Sequence, residues 1–490
     1  MRLFAFDNRL SSVSNAELTT APIKKNGVML DRAMGLPESM LTIFPSSILP
    51  LSNGGYWMYY SAYTLHNPVM KIGIAHSSDG YNWEHEKLAQ TIISGDRTPY
   101  IKINGLPENA MVIQPIVILL PNQVWRMYFW LHGGMIRFVR AESKNGIDWQ
   151  ILNLDSPCLY HPGDEQVRAC LGDDVSDMRN LLSYDLDKNS RLDSKMGYCS
   201  SQIKKLLSND ATTVYYNSKA DIFEMFSVWL LNNPERGKHW VAHDNAPCVL
   251  RVIHRRTSKN GLDWSDPELV VLPDDKDPDD LQFYYMTNEY IENGRIGFLG
   301  HYLCNSQTMD VELCLSADGR TWSRPLRKPW LPRGESGEPD SMGIYSAANL
   351  VHAERECIYY YTAYDSGHNA FLKGIRPKSA IMAGTFGENR FIGLSSCIHT
   401  QDSVIKTAPI ILTQKTIKIN AAIRGSLRAQ LSVPLGEVIP GFEYTSSLEI
   451  KGDSLNHALS WKGRTIEDLL YKGIVIELRL NDGTIYSIDL

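Results

Sequence analysis

Ser77-Ser78-Asp79-Gly80-Tyr81-Asn82-Trp83 returns as Ser143-Lys144-Asn145-Gly146-Ile147-Asp148-Trp149, again as Ser258-Lys259-Asn260-Gly261-Leu262-Asp263-Trp264, and again as Ser316-Ala317-Asp318-Gly319-Arg320-Thr321-Trp322. A pattern that recurs at this spacing marks a repeat architecture. In each copy an Asp or Asn precedes a Gly able to take φ > 0, the chemistry of a tight hairpin, and the Trp is set to pack as the next strand leaves. These residues are expected to serve turns and packing rather than catalysis.

The segments before each turn repeat as well. An apolar strand, a polar turn and an aromatic-rich strand run from Ser47 to Tyr63, from Val112 to His132, from Thr213 to Leu230 and from Gln282 to Leu303. A fifth copy, Ile344 to Tyr364, lacks the turn motif and continues into Ala380 to Leu394. The fold class expected is all-β: a five-bladed β-propeller over residues 1–400, followed by a C-terminal β-sandwich over 401–490. The interval between the second and third turns is nearly twice the others, so an insertion of about 50 residues is expected within 151–209. No Gly/Ser-rich linker precedes the C-terminal strands.

Composition narrows the function classes. Of 490 residues, 43% are hydrophobic and 21% charged, the balance of a globular protein, and neither disorder nor a membrane span is favoured. A net charge of −6 without a clustered Lys/Arg excess argues against a nucleic-acid partner. The start, MRLFAFDNRLSS, has too short an apolar run for a signal peptide, and a cytoplasmic location is expected. Eight cysteines without C-x-x-C spacing read as buried free thiols, and no obligatory metal or cofactor is expected.

In an antiparallel blade, the entry to the inner strand and the loop after the second strand share one face, opposite the Trp turns. Loops converging there are where polar groups can meet a ligand. The inner-strand entries carry Glu38, Glu108 with Gln114, Asp210, Asp279 with Asp280, and Glu338 with Asp340. The second-strand loops carry His66, His132, His301 and His368, with Tyr63, Trp130, Trp229, Tyr302 and Tyr364. Carboxylates for acid/base work and flat rings for the apolar face of a sugar are what a carbohydrate substrate requires. Gln114, Trp130, His132, His301, Glu338, Tyr364 and His368 are the candidate substrate contacts.

The array of Ser-x-Asp-Gly-x-x-Trp turns resembles the glycoside hydrolase superfamily that holds families 32, 43, 68, 117 and 130. The stretch Leu412 to Ile488, with Ile417-Lys418-Ile419-Asn420, Ile439-Pro440-Gly441-Phe442 and Trp461, resembles the C-terminal module of uncharacterised bacterial proteins related to family 32, and Gln282 to Met286 and Gly337 to Tyr345 look like stretches of the same group. The resemblance implies a propeller and a glycosidase, and it implies an acid at each of the first three inner-strand entries. Those slots hold Phe44-Pro45, Gln114-Pro115 and Asp210, so only the third is acidic. Hydrolysis would then pair Asp210 with one of Glu38, Asp280 or Asp340 as acid and base or nucleophile. Two other readings stand beside it. One is a phosphorylase or transglycosylase like family 130, with Arg251, His254, Arg255 and Arg256 holding phosphate; the other is a non-catalytic sugar-binding propeller. The resemblance also admits a calcium or sodium ion in the channel.

Overall fold

The computed structural model describes residues 1–32, 36, 38, 40–64, 70–93, 95–132, 136–161, 208, 211–233, 235–236, 239, 249–375, 377–397 and 401–490. Among them the structure is all-β; its helical segments are single 3₁₀ turns, such as Ala370–Lys373 and Ile466–Leu469. No helix among the described residues is long and apolar enough to cross a membrane. Most of the expected insertion, and Asp210 and His66 with it, lies outside the described residues. Contacts divide the chain into two compact units: residues 25–351 with 359–384, and residues 1–24, 352–358 and 385–490. The sequence-based division at residue 400 places Met1–Lys24 with the propeller, whereas these residues cluster with the C-terminal unit.

The larger unit is built from successive antiparallel meanders, here labelled blades I to V after the five sequence repeats; the strands of IV and V are joined in one eight-stranded sheet. Blade I contains Tyr56–Tyr63 and Met70–Ser77, blade II Met111–Leu119, Trp125–His132 and Arg137–Ser143. Blade III contains Thr212–Asn217, Ile222–Asn232 and Val249–Ser258; blade IV Leu281–Ile291, Gly294–Leu303 and Thr308–Ser316. Blade V opens with Gly343–Ser346.

Hydrogen bonds and apolar packing near the inner strands link one blade to the next. Ser47 N–H donates to Pro115 O at 3.1 Å, joining I to II. Ile113 and Ile116 share a core with Val214 and Phe223, joining II to III. Thr213 Oγ1 donates to Met286 O at 3.0 Å and Tyr285 Oη to Ile344 O at 2.9 Å, joining III to IV and IV to V. Ala348 N–H donates to Ser46 O at 2.8 Å and returns V to I.

The four Trp turns have one internal architecture. The Ser Oγ accepts the Gly N–H at 2.9, 3.0, 2.8 and 2.8 Å in turn order. The Asp or Asn Oδ1 accepts the two N–H groups beyond the Gly, as from Tyr81 and Asn82 at 2.8 Å each. This geometry needs φ of +81°, +75°, +72° and +76° at the four glycines, which is why Gly is fixed there. The acceptor role explains the free exchange of Asp and Asn between copies.

Each turn is held by the blade before it. Tyr59 Oη donates to Gly146 O and Tyr128 Oη to Gly261 O, both at 2.9 Å, and Tyr360 Oη donates to Gly80 O. The following Trp meets the same ring edge-on: Trp149 on Tyr59 at 6.3 Å, Trp264 on Tyr128 at 6.2 Å, and Trp83 on Tyr360 at 5.8 Å. At the III–IV joint Phe226 takes the ring position against Trp322 at 5.9 Å and has no hydroxyl. There Arg295 of blade IV reaches back to the fully buried Glu224 of blade III at 2.7 Å instead.

The smaller unit holds one nine-stranded antiparallel sheet that includes Arg2–Phe4, Leu10–Ser14 and Ala16–Thr20 with the C-terminal strands. The strands expected to form a sandwich are linked by hydrogen bonds across this sheet. Its long strands Lys418–Ser432 and Gly473–Asp489 break register between Asn420 and Ala421 and between Ile423 and Ser426, and the sheet carries its own core around Leu427, Trp461, Ile476 and Leu478.

Trp149→Ala is expected to cost about 3–5 kcal/mol, because the ring is fully buried and its loss opens the I–II joint. The urea midpoint measures this, and an unchanged midpoint would contradict the joint described here.

Candidate functional site

Near the inner-strand entries, aromatic side chains from three blades pack together. Phe44 lies 5.1 Å from Tyr345 and 6.3 Å from Tyr284, Tyr345 lies 5.0 Å from Tyr364, and His368 lies 4.7 Å from Tyr284 and 5.2 Å from Tyr302. Phe44, Tyr284, Tyr364 and His368 are partly exposed, whereas Tyr345 and Tyr302 behind them are buried. Partly exposed rings standing on buried rings form an apolar patch, here termed the aromatic mouth.

Polar groups line the same place. Tyr345 Oη and His368 Nδ1 share a hydrogen bond of 2.6 Å, and burial pushes the Tyr345 phenol well up, so Tyr345 stays neutral. The Arg251 guanidinium stacks over Tyr284 at 4.8 Å and donates to Gln282 Oε1 at 3.3 Å. Tyr364 Oη donates to Met40 Sδ at 3.5 Å.

Backbone irregularity accompanies the mouth. Gln114 sits at φ +59°, where the pairing of blade II shifts register between Ile113 and Ile116. A non-glycine residue in this region is strained and is held by its surroundings. Its N–H donates to Ser61 Oγ at 2.8 Å, and its buried Oε1 has no hydrogen-bond partner among the described residues. Blade IV shifts register similarly between Phe283 and Tyr285, the step that carries Tyr284.

The other candidates distribute as follows. Asp340 is buried, with Oδ2 accepting from Lys25 Nζ at 2.6 Å and from Tyr361 Oη at 3.1 Å. Asp280 Oδ2 accepts the Asn305 N–H at 2.9 Å, and Glu338 Oε2 accepts the Glu335 N–H at 2.8 Å, both as loop braces. Glu38 is buried; Oε1 accepts from Tyr100 Oη, and Oε2 has no hydrogen-bond partner among the described residues. Trp130 is fully buried, between Phe138 and His161, and His132 is partly exposed at the end of its strand. The sequence readings of Tyr364 and His368 fall in the mouth, and Asp210 lies outside the described residues.

His301 belongs to a buried charge network. It stands 2.6 Å from Glu312, which also receives Arg324 at 2.7 Å, while Arg324 reaches Asp277 at 2.6 Å. Burial raises the Glu312 pKa, but the bonds from His301 and Arg324 outweigh it and hold the carboxyl below its usual range. The four basic residues Arg251, His254, Arg255 and Arg256 do not converge, because alternate strand residues face opposite sides. Arg251 and Arg255 point toward Tyr284 and Glu224, whereas His254 and Arg256 lie against Trp229.

Sequence reasoning passed over Phe44, Tyr284 and Tyr345. Phe44 registered only as a slot without an acid, and the other two only as members of repeat strands and of stretches that resemble the related group. An aromatic side chain at the same inner-strand entry in successive repeats is the signal that would have found them.

No family model and no curated protein matches the chain. Among solved structures, it is similar to a glycoside hydrolase, at 13% identity over 75% of this chain and 92% of that one, with a TM-score of 0.47. It is similar to an N-acetylgalactosamine deacetylase from F. plautii in complex with blood group B trisaccharide, at 16% identity over 77% and 97%, with a TM-score of 0.46. A thermostable family-43 glycoside hydrolase gives 11% identity over 74% and 96%, with a TM-score of 0.43. TM-scores below 0.5 assign this chain neither an activity nor a substrate.

If His301 acts in the charge network, Glu312→Ala leaves Arg324 and His301 short of a buried partner and is expected to cost about 3–5 kcal/mol. Chemical denaturation reads the cost, and a loss below 1 kcal/mol would show that the network is not buried as described.

Proposed function

We propose that the chain is a glycoside hydrolase that binds an oligo- or polysaccharide at the aromatic mouth of the propeller. The single observation that carries this reading is the set of partly exposed rings Phe44, Tyr284, Tyr364 and His368 at the inner-strand face. Flat rings on a rigid wall match the C–H face of a pyranose, and hydroxyl and imidazole groups beside them suit its hydroxyls.

The chemistry in this reading pairs Asp210 with a second carboxylate. Of Glu38, Asp280 and Asp340, Glu38 fits best. Asp340 is committed to Lys25 and Asp280 to the Asn305 N–H, whereas Glu38 keeps one buried oxygen without a hydrogen-bond partner among the described residues. Glu38 also lies two residues before Met40, whose sulfur accepts from Tyr364. One carboxyl would protonate the leaving oxygen, and the other would act as base toward water or as nucleophile. The separated basic side chains give the phosphorolytic alternative no shared phosphate cradle, and added phosphate should leave the rate unchanged.

Asp210→Asn keeps the shape of the side chain and removes its proton chemistry, so turnover of aryl glycosides is expected to fall about 100-fold or more with the melting temperature unchanged. Tyr284→Ala is expected to raise KM more than it lowers kcat. Equal turnover by wild type and Asp210→Asn would remove Asp210 from the chemistry, and a phosphate requirement would replace hydrolysis by phosphorolysis.

A further inference from the structure

Within the smaller unit, three side chains of different donor type converge. Cys357 Sγ donates to Glu388 Oε2 at 3.0 Å, His352 Nδ1 lies 3.2 Å from the same oxygen, and Cys357 Sγ lies 3.6 Å from His352 Nδ1. All three candidate ligand atoms fall within 4.8 Å of one another. A zinc-class ion with bonds of about 2.0–2.3 Å in tetrahedral array separates its donors by about 3.3–3.6 Å. The three observed separations bracket that range without any side chain having to turn away.

The backbone already holds the donors. His352 and Cys357 flank a tight turn closed by Ala353 N–H to Glu356 O at 2.9 Å. Glu388 is fixed at both its peptide groups: its N–H donates to Arg355 O at 3.1 Å, and its C=O accepts from Asn420 Nδ2 at 2.9 Å. Such second contacts orient ligands before an ion arrives. Cys357 is buried, Glu388 is partly exposed, and His352 is 46% exposed, so the cluster opens to solvent on the imidazole side, where a water would complete four-coordination.

We propose that His352, Cys357 and Glu388 bind one zinc-class divalent cation through Nδ1, Sγ and a carboxylate oxygen. A thiolate with an imidazole selects zinc over magnesium or calcium, which prefer all-oxygen shells. Binding exchanges the thiol proton for the metal: Cys357 S–H and the ion give the Cys357 S–metal bond and one proton released to solvent. The ion would tie the turn after His352 to the turn at Glu388. The sequence signal is a His and a Cys on either side of a four-residue turn, a spacing that a search for C-x-x-C passes over.

The test uses the full chain, stripped with chelator, kept reduced, and titrated with Co²⁺ and then Zn²⁺. The expected result is a thiolate-to-cobalt charge-transfer band that saturates at one equivalent and is displaced by Zn²⁺. Cys357→Ser should abolish the band. Because Cys357 is buried and its variant could fail to fold, the exposed His352→Gln carries the decision. It should weaken Zn²⁺ binding at least tenfold and remove the zinc-dependent rise in melting temperature, while the metal-free melting temperature stays that of wild type. Absence of the band at one equivalent overturns the proposal, leaving a hydrogen-bonded triad. So does a band that survives Cys357→Ser, or one that is lost instead in the variant of the exposed thiol, Cys397→Ser.

Discussion

Four seams of the larger unit depend on the joint between one blade's central ring and the next blade's turn. The ring must stop at the glycine carbonyl, and the turn must present that carbonyl with no side chain in the way. A Cβ at Gly261 would stand 2.2 Å from Tyr128 Oη, and one at Gly146 would stand 2.9 Å from Tyr59 Oη. Glycine therefore answers two demands at one position, a positive φ and a close approach. Each of the three joints held by a tyrosine combines a hydrogen bond worth about 1 kcal/mol net with an edge-on aromatic contact of about 1 kcal/mol, and the burial of the Trp outweighs both. Where Phe226 lacks the hydroxyl, the Glu224–Arg295 ion pair crosses the same seam.

This arrangement fixes the turn face and leaves the opposite face to carry groups that packing does not dictate. The inner-strand entries show the difference. Gln114 is held at positive φ with a buried amide oxygen that no described group engages, and Tyr284 is delivered to the mouth by a register shift. Local strain maintained by a stable scaffold is expected where a site must be shaped before its ligand arrives. A polar cleft at the turn end of blades III and IV, lined by Tyr216, Lys219, Tyr290 and Arg295, lacks this character. Its arginine is committed to Glu224.

The repeats, the all-β class and the role of the four tryptophans were legible because they depend on local turn chemistry that recurs in the sequence. The partners of the acids were not legible, since these depend on contacts far apart in the chain. Asp340 meets Lys25 across 315 positions. His301 looked like a ligand-facing loop residue, yet its partners Glu312 and Arg324 come from the next strand and beyond. The four basic residues looked like a cluster because they are adjacent in sequence, and the pleat separates them. Phe44 stands at a slot where the resemblance implies an acid, and its ring contacts with Tyr345 and Tyr284 join residues about 300 and 240 positions away. The N-terminal strands of the smaller unit escaped notice because nothing local distinguishes a strand that pairs with the far end of the chain.

The aromatic mouth is proposed as the carbohydrate site. A crystal structure of the full chain soaked with an oligosaccharide that it binds tests this most directly. The expected result is a sugar ring stacked on Phe44 or Tyr284, with hydroxyls within hydrogen-bonding distance of Tyr364 or His368. Sugar bound only at the Trp-turn face, or only on the nine-stranded sheet, would contradict it.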